Sequence, residues 1–270
     1  MEIRNPDKTH LSAVFALLER CFPGAWSAAE VSDRIFYDQR YDPNHVWMAR
    51  EQGQVLGLIV SVQDGPDAWL KLLAVDESAR GKGIGSDLLS RAEFRLSGEG
   101  VRSLNIAPSP PREFLPAVTP ASQAEAFFVR RGFSPSGSFE LRWTQAQTAP
   151  SGPGPEVDRP TAAAFGRHHG GTAWPWIEEQ LSWHPARAAF DPEMGLCLAQ
   201  PGLSVGPLWP APTATPAGLA ALVGSALAIA SSAPPMRSEG LRVWTVEGSL
   251  DLPGLSTLSS TVNTYTKDLS

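Results

Sequence analysis

The residues with the most chemical content lie between Leu72 and Phe133. An apolar run, Trp69-Leu70-Lys71-Leu72-Leu73-Ala74-Val75, leads into Asp76-Glu77-Ser78-Ala79-Arg80-Gly81-Lys82-Gly83-Ile84-Gly85-Ser86, and a helical pattern follows. A strand, a glycine-rich loop and a helix start, in that order, aim several backbone N–H groups and a helix N-terminus at one point. A phosphate ester is stabilised there. Gly81, Gly83 and Gly85 let backbone approach it, because residues without Cβ leave room. Arg80 and Lys82 add positive charge, with Lys82 expected to reach a solvent-side phosphate, and Ser86 adds a hydroxyl. A lone Gly-x-Gly turn before a helix is a weak signal. Its weight here comes from the strand before it and from Ala124-Glu125-Ala126-Phe127-Phe128-Val129-Arg130-Arg131-Gly132-Phe133 after it.

Arg80-x-x-Gly83-x-Gly85 after a strand resembles the acyl-CoA loop of the Gcn5-related N-acetyltransferase (GNAT) superfamily. Phe127-Phe128-x-x-x-Gly132-Phe133 resembles that family's second signature. The resemblance implies that Leu73, Ala74 and Val75 offer backbone groups to pantetheine and to the thioester carbonyl, where an N–H stabilises a tetrahedral intermediate. It assigns Arg80, Gly81, Lys82, Gly83, Ile84, Gly85 and Ser86 to the pyrophosphate and sets Phe128 beside the cofactor. The implied reaction moves an acetyl group from acetyl-CoA, a co-substrate, to a small-molecule or peptide amine by direct attack in a ternary complex, with no metal.

Two positions depart from the family pattern. Phe128 stands where the family usually has a Tyr that protonates the departing thiolate, and Ala121 where an Asn commonly bonds the cofactor arm. A thiol has a pKa of about 8.5, so the thiolate leaves tolerably unaided; general-acid help is worth roughly 10²–10⁴-fold. Tyr37 and Tyr41 are alternative donors. No general base stands out: Glu30, Asp33, Glu113 and Glu140 qualify by position, and each reads more readily as a solvated carboxylate. An acyl-CoA-binding protein that no longer catalyses, its second half a sensing or partner module, therefore stays open beside the enzyme. So does transfer of a longer acyl group.

The elements around the loop follow from periodicity. A strand at Glu2–Arg4 precedes an amphipathic helix at Leu11–Cys21 and a second at about Ala28–Tyr37, with Ser27 as N-cap. Strands at His45–Arg50, Val55–Val62 and Trp69–Val75, a helix at Gly85–Leu96, a strand at Ser103–Ala107, a helix at Gln123–Arg131 and a strand at Ser138–Thr144 complete the half. That order is the GNAT order. It predicts an α/β fold with a mixed, mostly antiparallel sheet flanked by helices. Pro108–Pro116 is a stiff loop, with Arg112 placed to face an acceptor carboxylate.

At 270 residues the length suggests two domains. Gln145–Pro155 is rich in Pro and Gly and marks a linker. Three echoes suggest that the second half duplicates the first. Gly98–Arg102 resembles Ser238–Arg242, Pro23–Trp26 resembles Gly171–Trp174, and Gln54–Ile59 resembles Gly202–Leu208. At the place of the glycine loop stands Pro210-Ala211-Pro212-Thr213-Ala214-Thr215-Pro216, poor in N–H donors. The expected division is 1–144 as the acyl-CoA domain, 145–157 as linker and 158–270 as a degenerate GNAT-like domain. A strand near Thr261–Lys267 is expected to complete or abut the first half's sheet. Net charge is −6, without a basic run, which argues against nucleic acid and anionic membrane. Cys21 and Cys197 read as free thiols, no apolar leader opens the chain, and Gly218–Ala230 is too short to span a bilayer. The expectation is a cytoplasmic monomer or homodimer. His168-His169 has no Cys or carboxylate at zinc spacing, and Trp174-Pro175-Trp176 could line a groove between the halves.

Overall fold

Val14, Leu17 and Leu18 recur at helical spacing, and α1 (Leu11–Cys21) buries all three. This computed structural model describes residues 1–24, 26, 28–38, 40–106, 118–144, 159–169, 188–200, 204–230, 242–245 and 257–269. They form two compact units, Met1–Ser138 with Val262–Ser270, and Phe139–Thr261.

In the first unit β1 (Glu2–Arg4), β2 (Val46–Glu51), β3 (Gln54–Asp64) and β4 (Asp67–Val75) are antiparallel neighbours. After α3 (Ile84–Gly98) crosses over, β5 (Ser103–Ile106) runs parallel to β4. The last strand, β11 (Thr257–Asp268), lies between β5 and β6 (Ser134–Thr144). The sheet is mixed and mostly antiparallel, as expected. With α1, α2 (Ala28–Ile35) covers a core of Val31, Ile35, Leu58 and Leu72. The second core gathers Ile84, Leu88 and Leu89 of α3, Phe128 of α4 (Gln123–Arg130) and Tyr265. The approach of α3 is close: a Cβ on Gly57 of β3 would lie 2.8 Å from Ile84 Cγ2 and 2.9 Å from Leu88 Cδ1.

A bulge breaks β4. Val60 pairs with Leu72 but Ser61 pairs with Leu70, leaving Lys71 as the extra residue. The bulge reverses side-chain parity: Ala68 and Leu70 join the α3 core, whereas Leu72 and Ala74 join the α1–α2 core. Lys71 goes with the latter, buried to 1% exposure, its Nζ donating to Arg34 O and Asp38 Oδ2 at 2.6 Å each. Burial alone would raise the Asp38 carboxyl, but the charges of Lys71 and Arg40 outweigh it and hold that carboxyl well below the usual range.

The strand expected near Thr261–Lys267 does complete the first sheet, pairing Tyr265 with Ile106 and Asp268 with Ser103. Leu269 N–H continues the ladder to Arg102 O at 2.8 Å. Residues 262–270 therefore pack with the first unit, not with 158–261. β6 begins at Ser134 rather than Ser138. Ser134-Pro135-Ser136-Gly137 has turn composition, yet the Ser136 hydroxyl donates to Thr264 Oγ1 of β11 at 2.9 Å.

In the second unit β7 (Ala188–Asp191), β8 (Gly195–Gln200) and β9 (Ser204–Pro210) are antiparallel, and β10 (Arg242–Thr245) lies parallel to β9. Between the described helices α5 (Arg159–His169) and α6 (Pro216–Ala230), it is α6 that links β9 to β10. It packs Leu219, Val223 and Ala226 on Ala189, Cys197 and Leu208. This β7-β8-β9-α6-β10 order reproduces β2-β3-β4-α3-β5, so the fold is duplicated. The echo before β5 and β10 agrees with it. The described part of the Gly202–Leu208 echo, residues 204–208, lies in β9, which corresponds in order to β4 rather than to β3, where Gln54–Ile59 lies. The echo at Gly171–Trp174 and the segment Trp174–Trp176 lie outside the described residues.

Candidate functional site

Two features of β4 prepare a binding surface. The pairing with β5 ends at Trp69↔Asn105, while β4 continues to Val75. Among the described residues, Leu70–Val75 thus has a partner only in β3. Asp76 N–H donates to Leu56 O of the β3 side at 2.9 Å. Alternate residues of an antiparallel strand present their backbone groups to opposite edges. Ala74 therefore bonds toward β3, and Leu73 and Val75 present N–H and C=O to the open edge. Of the three residues expected to share that task, Ala74 is the exception. Arg80 Nε already reaches the Val75 carbonyl at 3.2 Å.

Beyond β4, Asp76 caps a short 3-10 turn, Glu77–Ala79, and the chain enters the glycine loop. Gly81 and Gly83 adopt φ of +77° and +85°, the left-handed region that disfavours a Cβ. Gly83 is the N-cap of α3 and supplies no side chain to close the helix end. Consequently the N–H groups of Gly81, Lys82, Gly83, Ile84, Gly85 and Ser86 have no acceptor among the described residues; the first that does is Asp87, bonded to Gly83 O at 3.0 Å. Six consecutive donors at a helix N-terminus, beside Arg80 and Lys82, form an anion site. A Cβ on Gly81 or Gly83 would meet no described atom within 4 Å, so nothing described crowds the loop at those two positions.

The loop is fastened by contacts that the sequence did not announce. Arg20 of α1 donates from Nε to Asp76 Oδ2 at 2.6 Å and from its terminal NH2 to Val55 O at 2.8 Å. The Ser78 hydroxyl and Arg20 hold the Asp76 carboxyl below its ordinary value. Cys21, next to Arg20, has its thiol pushed up by burial, against the nearby charge of Arg80. At the far end Arg131, which caps the C-terminus of α4, donates to the Ser86 hydroxyl.

Phe128, on α4, belongs to the core. It is 7% exposed and meets Phe127 and Phe133 edge-on at 5.2 and 5.3 Å. Near it, Glu125 ties the start of α4 to β11: it accepts from the Tyr265 hydroxyl, from Asn263 Nδ2 at 3.0 Å and from Ala121 N–H at 2.6 Å. These donors, the Tyr265 hydroxyl first, keep the Glu125 carboxyl below its usual value. Ala121 therefore contributes a backbone N–H to an internal clamp and holds a φ of +56°. Tyr41 packs against the α1–α2 core and Tyr37 is exposed on α2's side, neither with the α3 core where Phe128 sits. The side chains of Glu30, Asp33, Glu113 and Glu140 lie outside the described residues, as does Arg112.

The counterpart loop of the second unit offers no continuous run of donors. Ala211 N–H donates to Met194 O and Ala214 N–H to Ala211 O, both at 3.0 Å, and the Thr215 hydroxyl caps α6 through Gly218 N–H at 3.1 Å. Pro210, Pro212 and Pro216 have no N–H to offer. The β9–β10 pairing extends to Leu208↔Thr245, two residues short of the end of β9. Among the described residues, Asp42, His45 and Glu99 form one group with metal-ligand chemistry. Both oxygens of Glu99 are already engaged there, by His45 Nε2 at 2.5 Å and by Arg95 at 2.6 Å. No described helix is long and apolar enough to cross a membrane.

Comparison with known proteins agrees with this geometry. Residues 11–133 match the Acetyltransferase (GNAT) family. Acetyltransferases of Pectobacterium atrosepticum and Sodalis glossinidius are similar at 30% and 32% identity over 107 residues, 39% of this chain and 74% of each relative. Among solved structures, a GCN5-related N-acetyltransferase from Sphaerobacter thermophilus superposes with a TM-score of 0.68 at 14% identity, covering 99% of this chain and 95% of that one. A tandem GNAT protein from the clavulanic acid biosynthesis pathway gives 0.60 at 16% identity, covering 100% and 98%. At such identities the likeness is one of fold.

Proposed function

The chain belongs to the GNAT acetyltransferase family, and from that premise we propose that it moves an acetyl group from acetyl-CoA to a primary amine by direct attack in a ternary complex. The observation that carries this reading is the run of six unpaired N–H donors from Gly81 to Ser86 beside an open strand edge. The loop takes the pyrophosphate, with Arg80 and Lys82 adding charge. Leu73 and Val75 take the pantetheine arm and the thioester carbonyl, where an aligned N–H stabilises the developing oxyanion. Ala74 keeps the strand in register with β3. The amine lone pair forms the C–N bond, the C–S bond breaks and the thiolate departs, and the amine's proton passes to solvent.

The first unit carries this chemistry. The second is a GNAT-like module whose own loop has three prolines and bonds the N–H groups of Ala211, Ala214 and Gly218 internally, which breaks up the run of donors, and the acceptor is a small-molecule or peptide amine. Calorimetric titration with acetyl-CoA tests the assignment. One site per chain, lost in Gly83→Asp, supports it and leads to an amine panel read by thiol release. Two sites would overturn the reading of the second unit, and no binding at millimolar concentration would overturn the whole. A second reading, an acyl-CoA-binding protein that does not catalyse, is favoured by one observation: Phe128 is packed in an aromatic cluster and has no proton to give. Thiol release that appears only in Phe128→Tyr would select it.

A further inference from the structure

Arg131 stands at the loop without belonging to it. α4 ends there: Arg131 N–H bonds Phe128 O at 2.9 Å, and Gly132, at φ +86°, turns the chain away. The guanidinium lies 5.5 Å from the centre of the Phe127 ring and donates to the Ser86 hydroxyl on the first turn of α3. That ring in turn packs at Gly85, 3.6 Å from where a Cβ would stand. An exposed arginine ordinarily samples many rotamers. This one is held by a ring and a hydroxyl from two helices, so little freedom remains to be lost on binding. No carboxylate among the described residues pairs with it. It brings four further N–H donors to the solvent side of a site whose backbone donors already suffice for a bridging diphosphate.

We infer that Arg131 recognises a phosphomonoester carried by the nucleotide end of the acyl donor in addition to its diphosphate, and so selects the fully phosphorylated donor. The inference rests on the acyl-CoA reading above. A planar guanidinium matches a dianionic phosphate bidentately, which a backbone N–H cannot do. Its place beyond the last unpaired N–H of the loop suits a group that stays at the solvent boundary.

Calorimetry with CoA and with dephospho-CoA, which differ only in the ribose phosphate, decides the matter. Wild type is expected to prefer CoA by roughly tenfold or more, the range of a charge-assisted pair. Arg131→Met, which keeps a stem over Phe127, should bring the two affinities within about twofold by weakening CoA alone. Arg131→Lys should recover part of the preference. An unchanged ratio in Arg131→Met, or an equal loss for both ligands, would overturn the inference while leaving the acyl-CoA reading intact. Failure of wild type to bind either ligand would overturn both.

Discussion

Replacing Lys71 by Met probes the bulge that flips β4 toward the α1–α2 core. The ammonium is almost wholly removed from solvent and spans Arg34 O and Asp38 Oδ2. Met preserves most of the stem's apolar contact, so the loss is electrostatic. Removing one partner of a buried pair costs about 3–5 kcal/mol. Asp38 keeps Arg40, through Nε at 3.2 Å, its terminal NH2 at 3.1 Å and the backbone N–H at 2.9 Å. The carboxylate is therefore not stranded, and the expected loss is at the low end, about 3 kcal/mol. Urea unfolding of the full chain, with exchange of β4 amides followed by mass spectrometry, measures it. The pH dependence gives a second handle. Because the folded carboxyl of Asp38 is depressed, its contribution is complete above the ordinary value of 3.8 and lost as pH falls below it. Lys71→Met, which moves that carboxyl back toward its ordinary value, should flatten the acid limb, and Asp38→Asn should flatten it further. A loss under about 1 kcal/mol, or an acid limb unchanged in Asp38→Asn, would refute the reasoning.

Other outcomes follow from the same geometry. Gly57→Ala drives a methyl into Ile84 and Leu88 and should destabilise by about 1–3 kcal/mol in thermal unfolding. Gly83→Asn, tolerant of positive φ and with open space above it, should fold within a few tenths of a kcal/mol of wild type yet bind acetyl-CoA at least about tenfold more weakly by calorimetry. Tyr265→Phe removes a donor from Glu125 and should cost about 1 kcal/mol in thermal unfolding. A chain ending at Ser256 leaves the β11-facing edge of β5 unpaired and should aggregate, as judged by size-exclusion chromatography.

Much of the first unit could be read in advance because its signals are local. Helical spacing of Val14, Leu17 and Leu18, and glycines where positive φ is required, are written within a few residues of where they act. The fastening of the site is not local. Arg20 with Asp76, Lys71 with Asp38 and Arg131 with Ser86 each join residues of different elements, and no short window contains both partners. One signal was available: Leu72 beside Leu73 breaks the alternation of β4 where the bulge lies. The orientation of Ala74 toward β3 is hidden for a related reason, since which edge a backbone group faces depends on register. The Gly202–Leu208 echo compared composition, while strand order depends on the hairpins between.

The position of β11 bears on how the protein is made. The ribosome delivers β1 to β5, then α4 and β6, and must translate all of residues 139–261 before the strand that belongs between β5 and β6 emerges. At 5–20 residues per second that interval is on the order of ten seconds. Throughout it the nascent first unit has a vacant slot flanked by two strands that could close on each other out of register. Completion is then an insertion by a strand made well after its neighbours, so an interruption of synthesis within residues 139–261 would be felt in the unit that holds β1 to β5.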